Sequence, residues 1–464
     1  MGNLHSLDTL VLILYFAGMI GISVYYYKKI DSADSFAVAD RSLTMPIMVG
    51  TTVATCIGAN SAFGQVGMMH TQGIASLYVL LAWHVGWIAL IVMAKPLRAS
   101  GASTLPEFIK IKFGLRAKQI AGVVSLVFLV NATAAQVAAI GTIFSALDLT
   151  TFKTGAIIGG IFIIIYTIFG GLYAVSVTDT LQAVLLFFGV AIAVPLIAFS
   201  QAGGITYVFS NLGPDKLNWT DFNFGELIPL IIAYALAAGS HAAYSQRIFA
   251  SKDIRTAYLG SIVSNIIGFV IGAMIAIGAL TIPFILPNLT NGEMFIPAVI
   301  SNFMPPLLTG LVLASLIGVV LSTADSFLLL VGTTFSNDII LAFRPETSDE
   351  QLLKISRATT LIAGVLCIIL SLYGGSVLKL FSTGAAAYGA GMFFPILLGC
   401  FWKDASSNGV ISGMLIGCFS TIIWNLTLKS STGIDGVIVG ALLCLISIIV
   451  VSLNDKNKTR KVAV

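Results

Sequence analysis

Apolar residues in this chain come in long unbroken runs, and the polar residues are gathered between them. A run of about 20 apolar residues is long enough to cross the ~30 Å hydrocarbon core of a bilayer as a helix. Thirteen such runs are found, at 6–27, 45–70, 73–97, 119–147, 152–170, 174–200, 225–246, 257–285, 306–341, 356–376, 380–402, 407–428 and 433–452. The segments between them are short. The pattern predicts one all-α integral membrane domain over 1–464, with thirteen transmembrane helices and no soluble domain.

Composition agrees. Of 464 residues, 57% are hydrophobic and 9% charged, against about 45–50% and 25% in soluble domains. So few charges cannot cover a soluble fold, and nucleic-acid binding and secreted disulfide scaffolds are excluded. Cys56, Cys367, Cys400, Cys418 and Cys444 lie inside apolar runs without CxxC spacing, so neither a disulfide framework nor a zinc site is expected. Walker, zinc-protease and nucleophile-elbow patterns are absent from the sequence, which argues against primary pumping and hydrolysis and for a protein that is not an enzyme.

Lys and Arg favour the cytoplasmic side of a membrane protein. With the N-terminus outside, all of the 24 Lys and Arg residues except Lys153, Lys216, Lys379 and Lys429 fall on the inner side. The expected protein is multi-pass in the cell membrane, with residues 453–464 as a cytoplasmic tail. Met1–Asp8 carries no Lys or Arg ahead of the first run and Lys28-Lys29 follow it, so that run is expected to stay as a helix and not to be cleaved. Lys118 and Arg247 are assigned to inner loops, and no buried Lys or Arg is expected.

Charges inside a bilayer are costly and usually functional. Asp179 and Asp325 fall well inside predicted spans, both toward the cytoplasmic half, while Asp338 lies near a helix end. Ser322, Asp325 and Ser326 stand at i, i+3 and i+4, on one helix face. Hydroxyls clustered beside a carboxylate, without His or Cys, suit a hard cation such as Na⁺. The second span carries Cys56-Ile57-Gly58-Ala59-Asn60-Ser61 at its middle, and the seventh carries Ala237-Ala238-Gly239-Ser240-His241. Interruptions at corresponding places in two halves point to a binding site at the membrane midplane. The two spans are five apart, as an inverted five-plus-five repeat requires.

Several segments resemble the sodium:solute symporter family. The stretch Gly170-Gly171-Leu172-Tyr173 through Thr178-Asp179-Thr180 to Gln182 is similar to its signature. So are Thr104-Leu105-Pro106-Glu107-Phe108, Gln136 within Ala134-Ala135-Gln136-Val137, Gln246-Arg247, and the run from Pro395 to Gly409. The resemblance covers nearly the whole chain in order. It implies the leucine-transporter-like fold with a 5+5 inverted repeat: a leading helix at 6–27, repeats at 45–200 and 225–402, and two trailing helices at 407–452. It also implies Na⁺-coupled uptake of a small solute by alternating access.

Carried over residue by residue, the resemblance implies a Na⁺ site made of the carbonyls of Ala54, Ile57 and Val319 and the hydroxyls of Ser322 and Thr323. A possible second Na⁺ site would use Asp179, Ser322 and Ser326, with Asp325 as this chain's departure from the family pattern. The implied solute pocket, beside the broken helices, draws on Asn60, Ser61, Gln65, Trp83, Asn131, Gln136, Tyr234 and His241. Where sugar carriers place polar side chains, this chain has Val79, Leu80 and Trp83, which argues against a large polyhydroxylated solute. A small carboxylate or amino-acid-like compound is expected. The partners implied are that solute and the lipid bilayer, with no nucleic acid; the oligomeric state stays open, a monomer being one option. Alternatives are an H⁺-coupled carrier using Asp325, an intramembrane aspartyl protease, and a substrate sensor. The Asp contexts here, Val177-Thr178 and Thr323-Ala324, differ from the protease motifs.

Overall fold

The computed structural model describes residues 4–58, 60–220, 224–373 and 377–455. Its α-helices of eight residues or more are α1 (Ser6–Tyr27), α2 (Met45–Cys56), α3 (Gln65–Gln72), α4 (Leu77–Gly86), α5 (Ile88–Ala99) and α6 (Leu105–Phe113). They continue with α7 (Leu115–Ala146), α8 (Phe152–Leu185), α9 (Val194–Gln201), α10 (Phe224–Gly239), α11 (Ala242–Ala250) and α12 (Ile254–Gly278). The last are α13 (Phe295–Phe303), α14 (Leu308–Thr333), α15 (Asp349–Tyr373), α16 (Val377–Phe401), α17 (Ser407–Thr427) and α18 (Gly436–Asn454).

Among the described residues, ten continuous helical stretches are long and apolar enough to cross a membrane, and the bent pair α10–α11 makes up to eleven. Two of the ten each contain a boundary that the hydropathy reading placed between separate spans. In Ala62–Ala99 the backbone leaves helical geometry at Gly73 (φ 66°, ψ −149°), and in Phe152–Gln201 at Gly171 (φ 50°, ψ −164°). Both angles lie where a Cβ is disfavoured, which is why glycine stands there. A side chain at Gly73 would also strike the Lys216 carbonyl, 2.2 Å from the ideal Cβ position.

α14 is the central element. Its most apolar window is 94% buried, against 17% for α1, so α14 belongs to the core and α1 to the lipid-facing rim. α14 packs against α1, α2, α7, α8 and α15. Its N-terminus has no cap of its own. Asp8 of α1 supplies one, its Oδ1 accepting from the amides of Leu307 and Gly310 at 2.8 Å each. A helix end buried in apolar surroundings needs such a partner for its free N–H groups.

Two helices near α14 are broken. α2 ends at Cys56, Ile57 adopts φ −96°, ψ 77°, and a π-helical turn begins at Asn60. The axis turns by 47° between α10 and α11, at Ser240-His241. These are the two interruptions expected from sequence, and both face the middle of α14 through α2 and α11.

Candidate functional site

The break after α2 sets backbone carbonyls free beside the hydroxyls of α14. Ser322 Oγ lies 3.0 Å from the Ala54 carbonyl and 3.1 Å from that of Val319. Thr323 Oγ1 is 3.4 Å from the carbonyls of Thr55 and Val319. A Cβ added at Gly58 would come within 3.1 Å of Thr323 Oγ1, so Gly58 leaves the space between the helices open. Ala54, Ile57, Val319, Ser322 and Thr323 are all buried. The oxygens of a Ca²⁺ shell lie at about 2.3–2.6 Å, and Na⁺ has nearly the same radius. Neighbouring ligands at right angles around such an ion stand about 3.4 Å apart, close to the spacing found here. Of the expected first-site residues, Ala54, Val319, Ser322 and Thr323 are brought together, and the carbonyl that reaches Thr323 from the broken helix is that of Thr55.

The second set is brought together differently. Asp179, on α8, points at Arg247 on α11: the guanidinium donates to Asp179 Oδ2 at 3.0 Å, and both side chains are fully buried. Thr51 Oγ1 donates to the same oxygen at 2.5 Å and accepts from Arg247 Nε at 3.2 Å. Arg247 also donates to Ser326 Oγ at 2.5 Å. Ser326 in turn reaches Asp325 Oδ1 at 3.1 Å, and Tyr166 donates to Asp325 Oδ2 at 2.5 Å. A chain Thr51–Asp179–Arg247–Ser326–Asp325–Tyr166 therefore links α2, α8, α11 and α14. Ser322 is not on it, because its hydroxyl faces Ala54 and Val319.

This corrects two expectations. Arg247 is not a loop residue. α11 continues to Ala250 and turns Arg247 inward, where Asp179 compensates a charge that would otherwise be costly to bury. Lys118 is likewise buried, 3.4 Å from Asp338 and 2.6 Å from the Asn337 carbonyl, because α7 starts at Leu115 and carries it into the bundle. Thr51 and Tyr166 were also missed, since nothing local separates Thr51 from its neighbours Thr52 and Thr55, or Tyr166 from the apolar run around it. Arg247 had one: it adjoins Gln246 at the edge of a predicted span.

The solute candidates divide. Trp83 and Tyr234 meet edge to face with centroids 5.3 Å apart, so α4 and α10 bring them together. Trp83 continues to Trp87 (6.4 Å), Trp87 stacks on Tyr244 (4.5 Å), and Tyr244 stacks on His241 (3.8 Å). An aromatic row thus runs from α4 to the break before α11. Gln65 is turned away to donate to the Ser76 carbonyl at 2.9 Å, and Asn131 donates to the Val127 carbonyl of its own helix at 2.7 Å. Gln136 is buried on α7, with Oε1 lacking a protein partner. The side chains of Asn60 and Ser61 lie outside the described residues.

The sequence profile described as the Sodium:solute symporter family matches residues 36–417. The chain belongs to this family. Among relatives, it is 27% identical to the osmoregulated proline transporter OpuE of Bacillus subtilis (strain 168), over 96% of this chain and 94% of that one. It is 26% identical to a sodium/pantothenate symporter of Haemophilus influenzae, over 89% of each. Among solved structures, a Na⁺-coupled sialic acid symporter in a substrate-bound outward-open state matches with a TM-score of 0.86 at 19% identity, over all of both chains. Mhp1, a nucleobase-cation-symport-1 family transporter in a closed conformation, matches at 0.58 and 14% identity, over 92% of this chain and 96% of that one. The fold is shared with both.

Proposed function

We propose that this sodium:solute symporter couples the inward movement of Na⁺ to uptake of a small carboxylate or amino-acid-like solute by alternating access. The observation that carries this reading is the oxygen cluster where α2 breaks against Ser322 and Thr323. A cation held there joins a broken helix to α14, so its arrival and departure bias how the two pack. The reading includes the leucine-transporter-like architecture with thirteen spans in a 5+5 arrangement. Counting the two helical stretches that bend at Gly73 and Gly171 as two spans each supports it. The excess of Lys and Arg in the inner loops supports an external N-terminus and a cytoplasmic C-terminus in the cell membrane.

The Arg247–Asp179 pair bears on stoichiometry. Arg247 already supplies the positive charge beside Asp179 that a second Na⁺ would bring. A single coupling ion is therefore the reading for this state, and a second would require the guanidinium to move. The pair also speaks against an aspartyl protease, whose two carboxylates share one proton. Here an arginine and a serine stand between Asp179 and Asp325.

The solute is read as lying along the aromatic row from Trp83 and Tyr234 to His241. The proline and pantothenate named for the relatives each carry one carboxylate, which agrees with the class expected from sequence. The test is a thermal-stability screen of the purified protein against carboxylates, amino acids and sugars, each in Na⁺ and in K⁺. A ligand present at 100 times its Kd stabilises the folded state by about 2.7 kcal/mol. A carboxylate that raises the melting temperature more in Na⁺ than in K⁺ supports the reading, because coupling between two ligands is reciprocal. Equal shifts in both salts would overturn it.

A further inference from the structure

Beyond the ion cluster, three segments are tied to one another at the end of the bundle that the Lys and Arg distribution assigns to the cytoplasm. Residues 41–43 precede α2, 98–103 run from the last turn of α5 to the start of α6, and 250–252 span the end of α11 and the residues after it. Leu43 pairs with Ser251 as a parallel bridge: the Leu43 amide donates to the Ala250 carbonyl and the Lys252 amide to the Leu43 carbonyl, each at 3.0 Å. Arg98 closes the pairing from the side, its Nε donating to the Ser251 carbonyl at 2.6 Å and its Nη2 to that of Lys252 at 3.4 Å. Arg41 reaches back, paired with Asp34 and donating to the Gly101 carbonyl at 2.8 Å and Ser103 Oγ at 3.1 Å. Gln246, within α11, donates to the Ala37 carbonyl at 2.7 Å.

The chain entering this clasp is strained. Ala39, Asp40 and Arg41 take φ of 48°, 49° and 53° in succession, a left-handed turn without a single glycine. L-residues with a Cβ disfavour that region, and such conformations persist only where surrounding contacts over-determine them. The contacts here are those of the clasp.

We propose that Arg98 is a positioning residue of the transport cycle: it pins a strained strap that ties the cytoplasmic ends of the two broken helices, and the strap must part before the ion and solute can leave on that side. The strap joins the segments flanking α2 and α11, the two helices whose far ends frame the ion cluster and the aromatic row. Parting it lets residues 39–41 relax, so the turn favours opening while Arg98 and the Leu43–Ser251 bridge oppose it. The inference rests on the alternating-access reading.

The test uses the full chain in lipid nanodiscs, with spin labels at the exposed positions Asp31 and Lys252 on a cysteine-free background. Arg98→Ala should raise the long-distance, parted population about tenfold, since it removes hydrogen bonds from a charged donor. Ala39→Gly should lower that population about fivefold, because glycine accepts the left-handed turn without strain. Arg98→Lys, which keeps the charge but not the two-point contact, should fall between wild type and Arg98→Ala and serves if the alanine variant does not fold. In proteoliposomes Arg98→Ala should also slow net uptake more than solute exchange. Two substitutions that move the distances in opposite directions cannot both be acting by loosening the fold. Unmoved distances, or shifts of the same sign in Arg98→Ala and Ala39→Gly, would overturn the proposal. Distances insensitive to Na⁺ in every variant would instead count against Na⁺ coupling, and the strap would still be judged from the K⁺ measurements.

Discussion

Removing both members of the Asp179–Arg247 pair should cost clearly less than the sum of removing each alone. Both side chains have no exposed surface, and the guanidinium lies 3.0 Å from Asp179 Oδ2. Breaking a buried pair by deleting one partner typically costs about 3–5 kcal/mol, because the other charge is left uncompensated. Asp179→Asn leaves Arg247 with the hydroxyls of Thr51 and Ser326, Oε1 of Gln246 and the Ala243 carbonyl. Those neutral acceptors place it near the lower end, about 3 kcal/mol. Arg247→Gln leaves both Asp179 and Asp325 buried without that base, and belongs near the upper end, about 5 kcal/mol. The double variant removes both charges, so its cost should fall at least about 2 kcal/mol short of the sum of the singles. The assay is reversible unfolding in mixed micelles for the four proteins of the cycle. Additivity within about 0.5 kcal/mol would refute the reasoning, since it would mean that the two side chains do not sense each other.

Three further outcomes follow from particular contacts. Gly58→Val should reach the membrane folded yet lose Na⁺-dependent uptake, because even its Cβ would stand 3.1 Å from Thr323 Oγ1; wild-type uptake would reduce Gly58 to a packing residue. Asp8→Ala strips the cap from α14 and should lower stability by about 1–2 kcal/mol, with faster hydrogen exchange at the Leu307 and Gly310 amides; unchanged exchange there would show that the cap is not needed. Gly86→Val drives a side chain into the backbone of α10, 2.6 Å from the Ala235 amide, and should spread Trp83 from Tyr234. Solute affinity should fall while Na⁺ binding holds, and undiminished solute affinity would remove the Trp83–Tyr234 pair from the pocket.

What could be read from sequence was whatever depends on local pattern. The spans announce themselves by length and hydropathy, and the breaks at Gly73 and Gly171 fall where the runs were divided, because only glycine accepts those angles cheaply. Pattern alone gave only the hydroxyls of Ser322 and Ser326 beside Asp325 on one helix face; pairing Ser322 and Thr323 with the broken helix came from the family resemblance. The charge network was only half legible. Hydropathy treats an arginine as the end of a span, yet α11 and α7 carry Arg247 and Lys118 into the bundle because carboxylates on other helices await them. Side-chain direction is decided by the neighbour, and the neighbour is remote in sequence. The clasp of Leu43, Arg98 and Ser251 was invisible for the same reason: its bonds go to backbone carbonyls, which every residue has.

The central claim is that a Na⁺ site lies where α2 breaks against α14. The most direct measurement is the half-saturating Na⁺ concentration for solute uptake into proteoliposomes, wild type against the combined Ser322→Ala and Thr323→Ala substitutions, at matched expression. Losing two oxygen ligands should raise that concentration at least about tenfold, a cost of about 1.4 kcal/mol or more, while the maximal rate at saturating Na⁺ is largely retained. An unchanged Na⁺ dependence would contradict the assignment.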